Sequence, residues 1–529
     1  MSFLKTYFRQ AFESKGLDME NEPFIQALEI ALHTQKSLFL TGRAGTGKTT
    51  FLHTLRKLSL QKNFAVVAPT GVAAINAKGR TIHSLFKIDP RQIFLPGDPR
   101  LSVQVKGKKE SIFTTFKYSK NRLNVFKNLD VLVIDEISMV RVEILDVVDQ
   151  ILRVFRRKMH LPFGGVQLIL IGDPFQLPPV VRETEWSLLS RHYETRFFFS
   201  SHAFKQLQPL HLELEKIYRQ KDNLFIALLN RVRESRHTIQ DIQFLNQTAE
   251  KYHFDLLDQG YILLGTHNHT ILNINKQKLD LLSNPAQTYK AKVEDDFPVT
   301  LAPFDPMDLT LKVGAQVIFM RNNPDKKYYN GMIGKVVEME ENKIMVESNA
   351  GFFFEVEREV WENIEFRYNE KEEQVESEVI GRFVQFPLKL AWAITVHKSQ
   401  GLTFDRCVLD IGKSFEAGQV YVALSRCTSL EGLVLKSPIY MHSVKVSPDS
   451  LNFSLQRNDV HEIEDELRVQ RAFSSLPFAF ESFRKGEYQK AEKIFQEVQK
   501  IHDITTYAKW RQFLKIKNRI KERSATIRR

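Results

Sequence analysis

The stretch Ser37-Leu38-Phe39-Leu40-Thr41-Gly42-Arg43-Ala44-Gly45-Thr46-Gly47-Lys48-Thr49-Thr50 decides the reading of this chain. An apolar strand, Ser37–Leu40, runs into a glycine-rich loop, and the loop opens a helix that continues through Leu58. The loop matches G-x-x-x-x-G-K-T in the strand-to-helix context that this signature requires. Gly42, Gly45 and Gly47 let the backbone wrap an anion, so that the N–H groups of Ala44, Thr46 and their neighbours point inward. Lys48 adds a point charge for terminal phosphates. The Thr49 hydroxyl, with Thr50 beside it, stands where Mg²⁺ is held. ATP and Mg²⁺ are therefore the expected cofactors.

Working outward, an amphipathic run (Phe24, Ile25, Leu28, Ile30, Leu32) precedes the strand. Short apolar runs follow it at Phe64–Ala68, Val131–Ile134 and Leu168–Ile171. Runs of this kind, alternating with helices, fit a parallel sheet buried on both faces, with ligands at the carboxyl ends of its strands. Asp135-Glu136 ends the second of these runs. An isolated Asp-Glu pair after a strand is an ordinary surface turn. Paired with the phosphate loop, Asp135 is expected to hold Mg²⁺ through water, and Glu136 to orient and deprotonate an attacking water.

The 529 residues exceed one compact core and predict three or four folding units. A formal charge of +12 favours an anionic partner, nucleic acid or membrane surface, over a neutral one. Cys407 and Cys427 are the only cysteines, too few for a structural zinc site or a disulfide framework, and point to a reducing compartment. No apolar stretch approaches the ~20 residues of a membrane span. The opening residues, MSFLKTYFRQAFESKG, lack the apolar region of a signal peptide. The expectation is a soluble, cytoplasmic, nucleoid-associated protein without a membrane.

Between about 88 and 128 the pattern breaks. Pro90, Pro96, Gly97, Pro99 and Gly107 interrupt it, and Arg100, Lys106, Lys108, Lys109, Lys117, Lys120, Arg122 and Lys127 make it basic, as in an insertion. A second α/β pattern starts near Leu210, with strands expected at Tyr261–Gly265, Cys407–Ile411 and Leu433–Lys436. Strands at Val313–Met320, Lys335–Met339, Lys343–Glu347 and Phe352–Val356, with turns at Asn330-Gly331 and Asn349-Ala350-Gly351, predict a small inserted barrel. The acidic run Glu370–Glu378 reads as a solvated loop or edge. Residues 478–520 read as helical, with Phe483, Gly486, Tyr488, Ala491 and Phe495 spaced like a single tetratricopeptide-type hairpin, and Lys509–Arg529 is strongly basic.

Further stretches carry a family resemblance. Gly172-Asp173-Pro174-Phe175-Gln176-Leu177-Pro178-Pro179-Val180 resembles motif III of superfamily 1 helicases. Thr395-Val396-His397-Lys398-Ser399-Gln400-Gly401-Leu402-Thr403 resembles motif V, and Val420-Tyr421-Val422-Ala423-Leu424-Ser425-Arg426 resembles motif VI. Ala68-Pro69-Thr70-Gly71-Val72-Ala73-Ala74 and Gly79-Arg80-Thr81-Ile82-His83-Ser84 are similar to motif Ia and its neighbour. Asp135-Glu136-Ile137-Ser138-Met139 and Pro162-Phe163-Gly164-Gly165 are similar to the B branch, the PIF and RecD-type DNA helicases. The resemblance covers roughly residues 21 to 440.

The resemblance implies an α/β fold of two RecA-like P-loop domains. The first (21–209, after an N-terminal segment 1–20) carries a wedge insertion at 88–128. The second (210–445) carries an SH3-like β-barrel insertion at 306–378, and a helical, basic extension spans 446–529. ATP would lie between the two domains, sensed by Gln176 and met by Arg219 and Arg426 as arginine fingers, with Gly401 lining the nucleotide site. Pro69, Thr70, His83, Thr395, His397 and Lys398 would face nucleic acid. Phe94, Phe113 and Phe116 either stack on a splayed base pair or form the insertion's own small core. Lys326, Lys327, Tyr328 and Tyr329 form either a DNA-contact loop or a solvated turn. Gln26 and Gln35 are the candidates for reading adenine, neither in the family's frame.

The function implied is an ATP-dependent DNA helicase moving 5′ to 3′ on single-stranded and forked DNA, of a family tied to DNA repair, recombination and telomere maintenance. It would act as a monomeric motor, with a protein partner on the C-terminal helices. The alternatives are a translocase or recombination subunit that needs partners to unwind, and an adaptor whose ATPase switches a DNA-binding surface.

Overall fold

The computed structural model describes residues 18–501 and 515, apart from 19, 60–61, 104–109, 221, 299–300, 303–306, 324, 326, 413–415 and 459. The expectations for the N-terminal segment, for Lys106, Lys108, Lys109 and Lys326, and for the basic end Lys509–Arg529 lie outside the described residues, apart from Asp18, Glu20 and Lys515. The chain divides into a larger unit, 39–456, and a smaller one made of 1–38 with 457–529.

Valine- and isoleucine-rich runs form the first sheet of the larger unit, as their two-sided burial demands. Its strands are β1 (Leu38–Gly42), β2 (Phe64–Ala68), β3 (Arg80–Thr81), β4 (Val131–Ile134), β5 (Gln167–Ile171) and β6 (Leu210–Leu214), in the order β3-β2-β4-β5-β1-β6. The pairs β2–β3, β2–β4 and β4–β5 are parallel. The crossovers bring the ends of β1, β4 and β5 side by side, which sets the phosphate loop beside Asp135 and Asp173.

β6 corrects one expectation. Leu210 was to begin the second α/β half, yet Leu210–Leu214 is the edge strand of the first sheet. The reason lies beside it: a Cβ at Gly42 would meet the Leu214 carbonyl oxygen at 2.9 Å, so only glycine admits this close approach. The second sheet is parallel, in the order β18 (Ala393–Thr395), β7 (Ile262–Gly265), β19 (Cys407–Asp410), β20 (Leu433–Leu435).

Between β7 and β18 the chain builds antiparallel structure. Five strands, β11 (Gln316–Phe319), β12 (Ile333–Met339), β13 (Lys343–Ser348), β14 (Phe353–Glu357) and β17 (Leu388–Leu390), form one sheet in the order β14-β13-β12-β11-β17. A two-stranded ribbon pairs β8 (Gln287–Tyr289) with β10 (Leu309–Leu311). A long hairpin of β15 (Glu359–Asn369) and β16 (Gln374–Gln385) pairs with β9 (Lys292–Asp295). The acidic run supplies this hairpin's turn and the exposed start of β16.

The hairpin is seated on the first sheet's side of the molecule. Glu365 lies 3.2 Å from the Arg80 guanidinium and 2.6 Å from that of Arg122. The Val375 N–H donates to Asn63 Oδ1 at 2.6 Å, and the Asn63 amide donates to the Glu373 carbonyl at 3.2 Å. Phe366 is buried in the same apolar core as Phe39, Leu132 and Leu168.

In the basic insertion, Phe94 and Phe116 are each 2% exposed and belong to that first core, with centroids 5.8 Å apart. They are core residues, not base-stacking ones, because the insertion is too short to bury its apolar groups alone. Phe113 is 49% exposed and packs edge-on against Phe155. Tyr328 is buried against Phe319, whereas Tyr329 is exposed.

The smaller unit holds helices Glu22–His33, Val460–Arg484 and Tyr488–Ile501. Asn21 caps the first, accepting from the Phe24 N–H. Ala472, Ala479, Ala491, Ile494, Phe495 and Val498 are buried where the last two pack together. Glu22–His33, expected in the first α/β domain, contacts Val460–Arg484 in this unit, and Gln26 is buried while Gln35 is exposed. Conversely the helix Pro448–Ser454, expected in the extension, belongs to the larger unit. There Phe453 stacks on Phe199 at 4.3 Å and meets Phe39 at 5.4 Å. An amphipathic helix declares that it needs an apolar partner, not which one.

Candidate functional site

The loop between β1 and helix Lys48–Leu58 turns on two left-handed glycines, Gly45 at φ +82° and Gly47 at φ +93°. The Thr46 hydroxyl donates to the Arg43 carbonyl at 2.9 Å and is fully buried, so it is a strut of the loop. The Lys48 ammonium donates to the carbonyls of Gly42 at 2.6 Å and Arg43 at 3.0 Å. Burial pushes its pKa down, although Asp173 and Glu136 pull the other way. Thr49 and Thr50 are exposed at the first turn of the helix.

Asp135 follows β4, and its carboxylate accepts from the Glu136 N–H at 3.0 Å. Burial, with Glu136 adjacent, pushes Asp135 up to about 7. Glu136 is raised as well, chiefly by burial, against the pull of Lys48 and Arg426. Its backbone is left-handed, φ +51°, a conformation that non-glycine residues seldom adopt and that clusters at functional sites. Two crowded carboxylates fit a divalent cation, since a cation favours their ionised forms.

The second half closes over this ledge. Gln176 is buried, and its amide faces the Asp173 carboxylate at 3.5 Å. The Gln400 amide, from the turn after β18, donates to Glu136 Oε2 at 2.9 Å and to Gln176 Oε1 at 3.4 Å. The Tyr421 hydroxyl accepts from the Ala44 N–H at 3.1 Å and reaches Asp173 at 3.5 Å. Burial and the Asp173 charge push this phenol up to about 12.

Arg219 passes directly beneath the loop. A Cβ on Gly45 would lie 2.4 Å from the Arg219 Cβ, and the Tyr218 N–H donates to the Gly45 carbonyl. Its guanidinium donates to the Ser425 carbonyl at 3.3 Å. Arg426, 2% exposed, donates to the carbonyls of Val422 at 2.9 Å and Leu402 at 3.3 Å. Burial lowers the pKa of both arginines, and for Arg219 the neighbouring Arg426 charge lowers it further.

The six residues expected to be catalytic, Lys48, Asp135, Glu136, Gln176, Arg219 and Arg426, thus gather along one cleft. Four more, which sequence reasoning did not single out, stand among them: Asp173, Arg233, Gln400 and Tyr421. Arg233, on helix Asn223–Arg233, is 1% exposed. It pairs with Asp173 at 3.0 Å and Glu213 at 3.3 Å, and lies 4.3 Å over the Phe175 ring. Burial works against its charge, but Asp173, Tyr421 and Glu213 outweigh it and hold the guanidinium ionised. Asp173 follows β5 as Asp135 follows β4, a signal within reach. Gln400 and Tyr421 lay inside quoted motifs. Nothing in the sequence around Arg233 marks it.

The expected nucleic-acid residues lie at strand ends and turns. Thr70 is exposed and caps helix Gly71–Asn76, accepting from the Ala73 N–H, with Pro69 just before it. His83 is half-buried in the short helix Ile82–Phe86, its pKa lowered by burial and by Arg141. Thr395 ends β18 and accepts from the Lys398 N–H at 3.2 Å. Lys398 is exposed, and His397 Nε2 lies 3.6 Å from Glu416. Gly401, φ +82°, is exposed and ends that turn.

A family model described as PIF1-like helicase matches residues 17–244. The ATP-dependent DNA helicase Pif1 of Campylobacter jejuni is 32% identical over 417 residues, covering 76% of this chain and 89% of that one. The crystal structure of Bacteroides sp. Pif1 in complex with ADP-AlF4 is 39% identical, with a TM-score of 0.72 over 80% of this chain and 93% of that chain. Bacteroides Pif1 bound to ssDNA is 38% identical, with a TM-score of 0.54 over 79% of this chain and 93% of that chain. A helicase relative 32% identical to this chain and matched over 89% of its own length settles the kinship: this chain belongs to the PIF1-like helicases.

Proposed function

We propose that the chain is an ATP-dependent DNA helicase that moves 5′ to 3′ along single-stranded DNA and separates duplex ahead of it. The observation that carries this is the convergence of Lys48, Asp135, Glu136 and Gln176 with Arg219, from the segment that follows β6 beneath the phosphate loop, and with Arg426 from the second half. The N–H groups of Gly45, Thr46 and Gly47, with Lys48 and Thr50, hold the phosphates, while the Ala44 N–H is tied to the Tyr421 hydroxyl. Thr49 and Asp135 would hold Mg²⁺, which when bound would neutralise charge on those phosphates. Glu136 orients the attacking water and takes its proton, and Gln176 senses the terminal phosphate. Arg219 and Arg426 stabilise charge that spreads in the transition state. A finger of this kind is worth roughly 10³–10⁵ in rate, so hydrolysis depends on closure. Gly401 lets motif V turn beside the nucleotide.

Pro69, Thr70, His83, Thr395, His397 and Lys398 grip the strand by its backbone, through contacts weak enough to break on each step. The insertion at 88–128 is the wedge, and the antiparallel sheet is the SH3-like body that lies along the strand. The motor works as a monomer, and the C-terminal helices receive a protein partner. A 5′-tailed duplex should be unwound by the purified chain and a 3′-tailed one left intact. Unwinding of the 3′-tailed duplex alone would overturn the polarity, and absence of ssDNA-stimulated hydrolysis would overturn the function.

A further inference from the structure

We propose that Gln400 is a positioning residue that links occupancy of the DNA-facing turn to the carboxylate that activates water. The inference rests on the nucleotide and DNA readings above and goes beyond them. Gln400 belongs to the turn that carries Thr395, His397 and Lys398, and that turn is tightly tied. The Ser399 N–H donates to the Thr395 carbonyl at 2.9 Å, and the Ser399 hydroxyl to the Val396 carbonyl at 2.7 Å. The Gln400 N–H donates to the His397 carbonyl at 3.2 Å. Ser399 is fully buried, so the turn moves as one piece. A strand that shifts His397 or Lys398 therefore shifts Gln400.

The Gln400 side chain leaves this turn and crosses the cleft. Its amide nitrogen reaches two acceptors of the first half, Glu136 Oε2 at 2.9 Å and Gln176 Oε1 at 3.4 Å. Two acceptors fix the amide's orientation, since turning it would set oxygen against a carboxylate. Lys48, Arg426, Asp135 and Asp173 act on Glu136 through charge, whereas the Gln400 amide makes the hydrogen bond to its carboxylate. Its left-handed backbone adds strain that only outside support maintains. Gln400 is that support, and it comes from the element that touches DNA. Bound strand holds the turn, the turn holds Gln400, and Gln400 holds Glu136 in line with water.

The test measures ATP hydrolysis by the full chain with and without saturating oligodeoxythymidine, together with oligodeoxythymidine affinity, in Gln400→Met and Gln400→Glu. Both substitutions keep the length and remove the donor. A hydrogen bond to a charged group is worth on the order of a 10–100-fold change, so Gln400→Met should lose about that factor in stimulated kcat. Its KM for ATP and its strand affinity should stay within about twofold. Gln400→Glu adds like charge beside Glu136 and should fall lower still. A role in shape and polarity alone would give the reverse order, because Glu resembles Gln more than Met does. That reverse order, or retention of stimulation by Gln400→Met, overturns the proposal. Lys48→Ala serves as the parallel control. If it hydrolyses ATP at the wild-type rate, the nucleotide reading falls and takes this inference with it. If Lys48→Ala is inactive while Gln400→Met keeps full stimulation, the coupling alone falls.

Discussion

Replacing Arg233 by methionine is expected to cost more stability than any substitution in the phosphate loop. The Arg233 and Asp173 side chains are 1% and 0% exposed and lie 3.0 Å apart. With an effective dielectric near 20, their gross attraction is on the order of 5 kcal/mol, offset in the folded chain by desolvation of both ions. Removing only the arginine keeps the desolvation of Asp173 and cancels what balanced it, a loss of about 3–5 kcal/mol. Glu213, which shares the guanidinium at 3.3 Å, loses this contact too. Thermal unfolding followed by far-UV circular dichroism should show Tm lower by about 6–10 °C, at roughly 2 °C per kcal/mol for a body this large. The double variant Arg233→Met, Asp173→Asn removes the stranded charge and should recover at least ~1.5 kcal/mol relative to additivity. An Arg233→Met protein melting within 2 °C of wild type, or a double variant whose losses simply add, would refute the buried-pair argument.

Lys48→Ala should abolish hydrolysis, measured by phosphate release, while filter binding shows single-strand affinity largely retained. Gly45→Ala combines a side chain at φ +82° with a Cβ 2.4 Å from that of Arg219, and so should lower stimulated hydrolysis at least ~10-fold with little change in strand affinity. Tyr421→Phe removes the acceptor of the Ala44 N–H and should cost hydrolysis about 5–10-fold, the worth of one buried hydrogen bond. Glu365→Gln carries a pH signature. Burial pushes this carboxyl up, but Arg122 and Arg80 outweigh it and hold it below the usual range. A depressed folded-state value adds stability above the ordinary carboxylate range and loses it as pH falls through the folded value. The Tm gap between wild type and Glu365→Gln should therefore be largest near pH 7 and shrink below about pH 4.

Features that a local pattern must encode were legible in the sequence. Gly42 to Thr49 announces its backbone shape and its charge together, and Val131–Ile134 with Asp135-Glu136 announces a buried strand that ends in carboxylates. Features encoded by a distant partner were not. Leu210–Leu214 has strand chemistry, but its place at the edge of the first sheet depends on the missing side chain at Gly42. Phe94 and Phe116 read equally as base-stacking residues or as a small core of the insertion itself, and the core that buries them is shared with other segments of the chain. Glu22–His33 and Phe453 changed units for the same reason. Arg233 has no motif around it, because its function is to meet Asp173, sixty residues earlier. Gln400 and Tyr421 were quoted within motifs, but a motif does not say which of its side chains cross a cleft.

The hairpin β15–β16 gives the motor a second fastening. It springs from the second half of the larger unit and is bolted to the first by Glu365, Asn63 and Phe366, while the covalent crossover after β6 joins the same two halves elsewhere. A door hung at one point can wobble in every direction, but hung at two it can only swing about the line between them. If the cleft closes as proposed, two such fastenings would confine it to a single arc, and the loops proposed to hold the strand would return along the same path in each cycle. The regularity of the stride would then be set by the strut far from the phosphates, and trimming Glu359–Gln385 should leave a motor that burns ATP but slips.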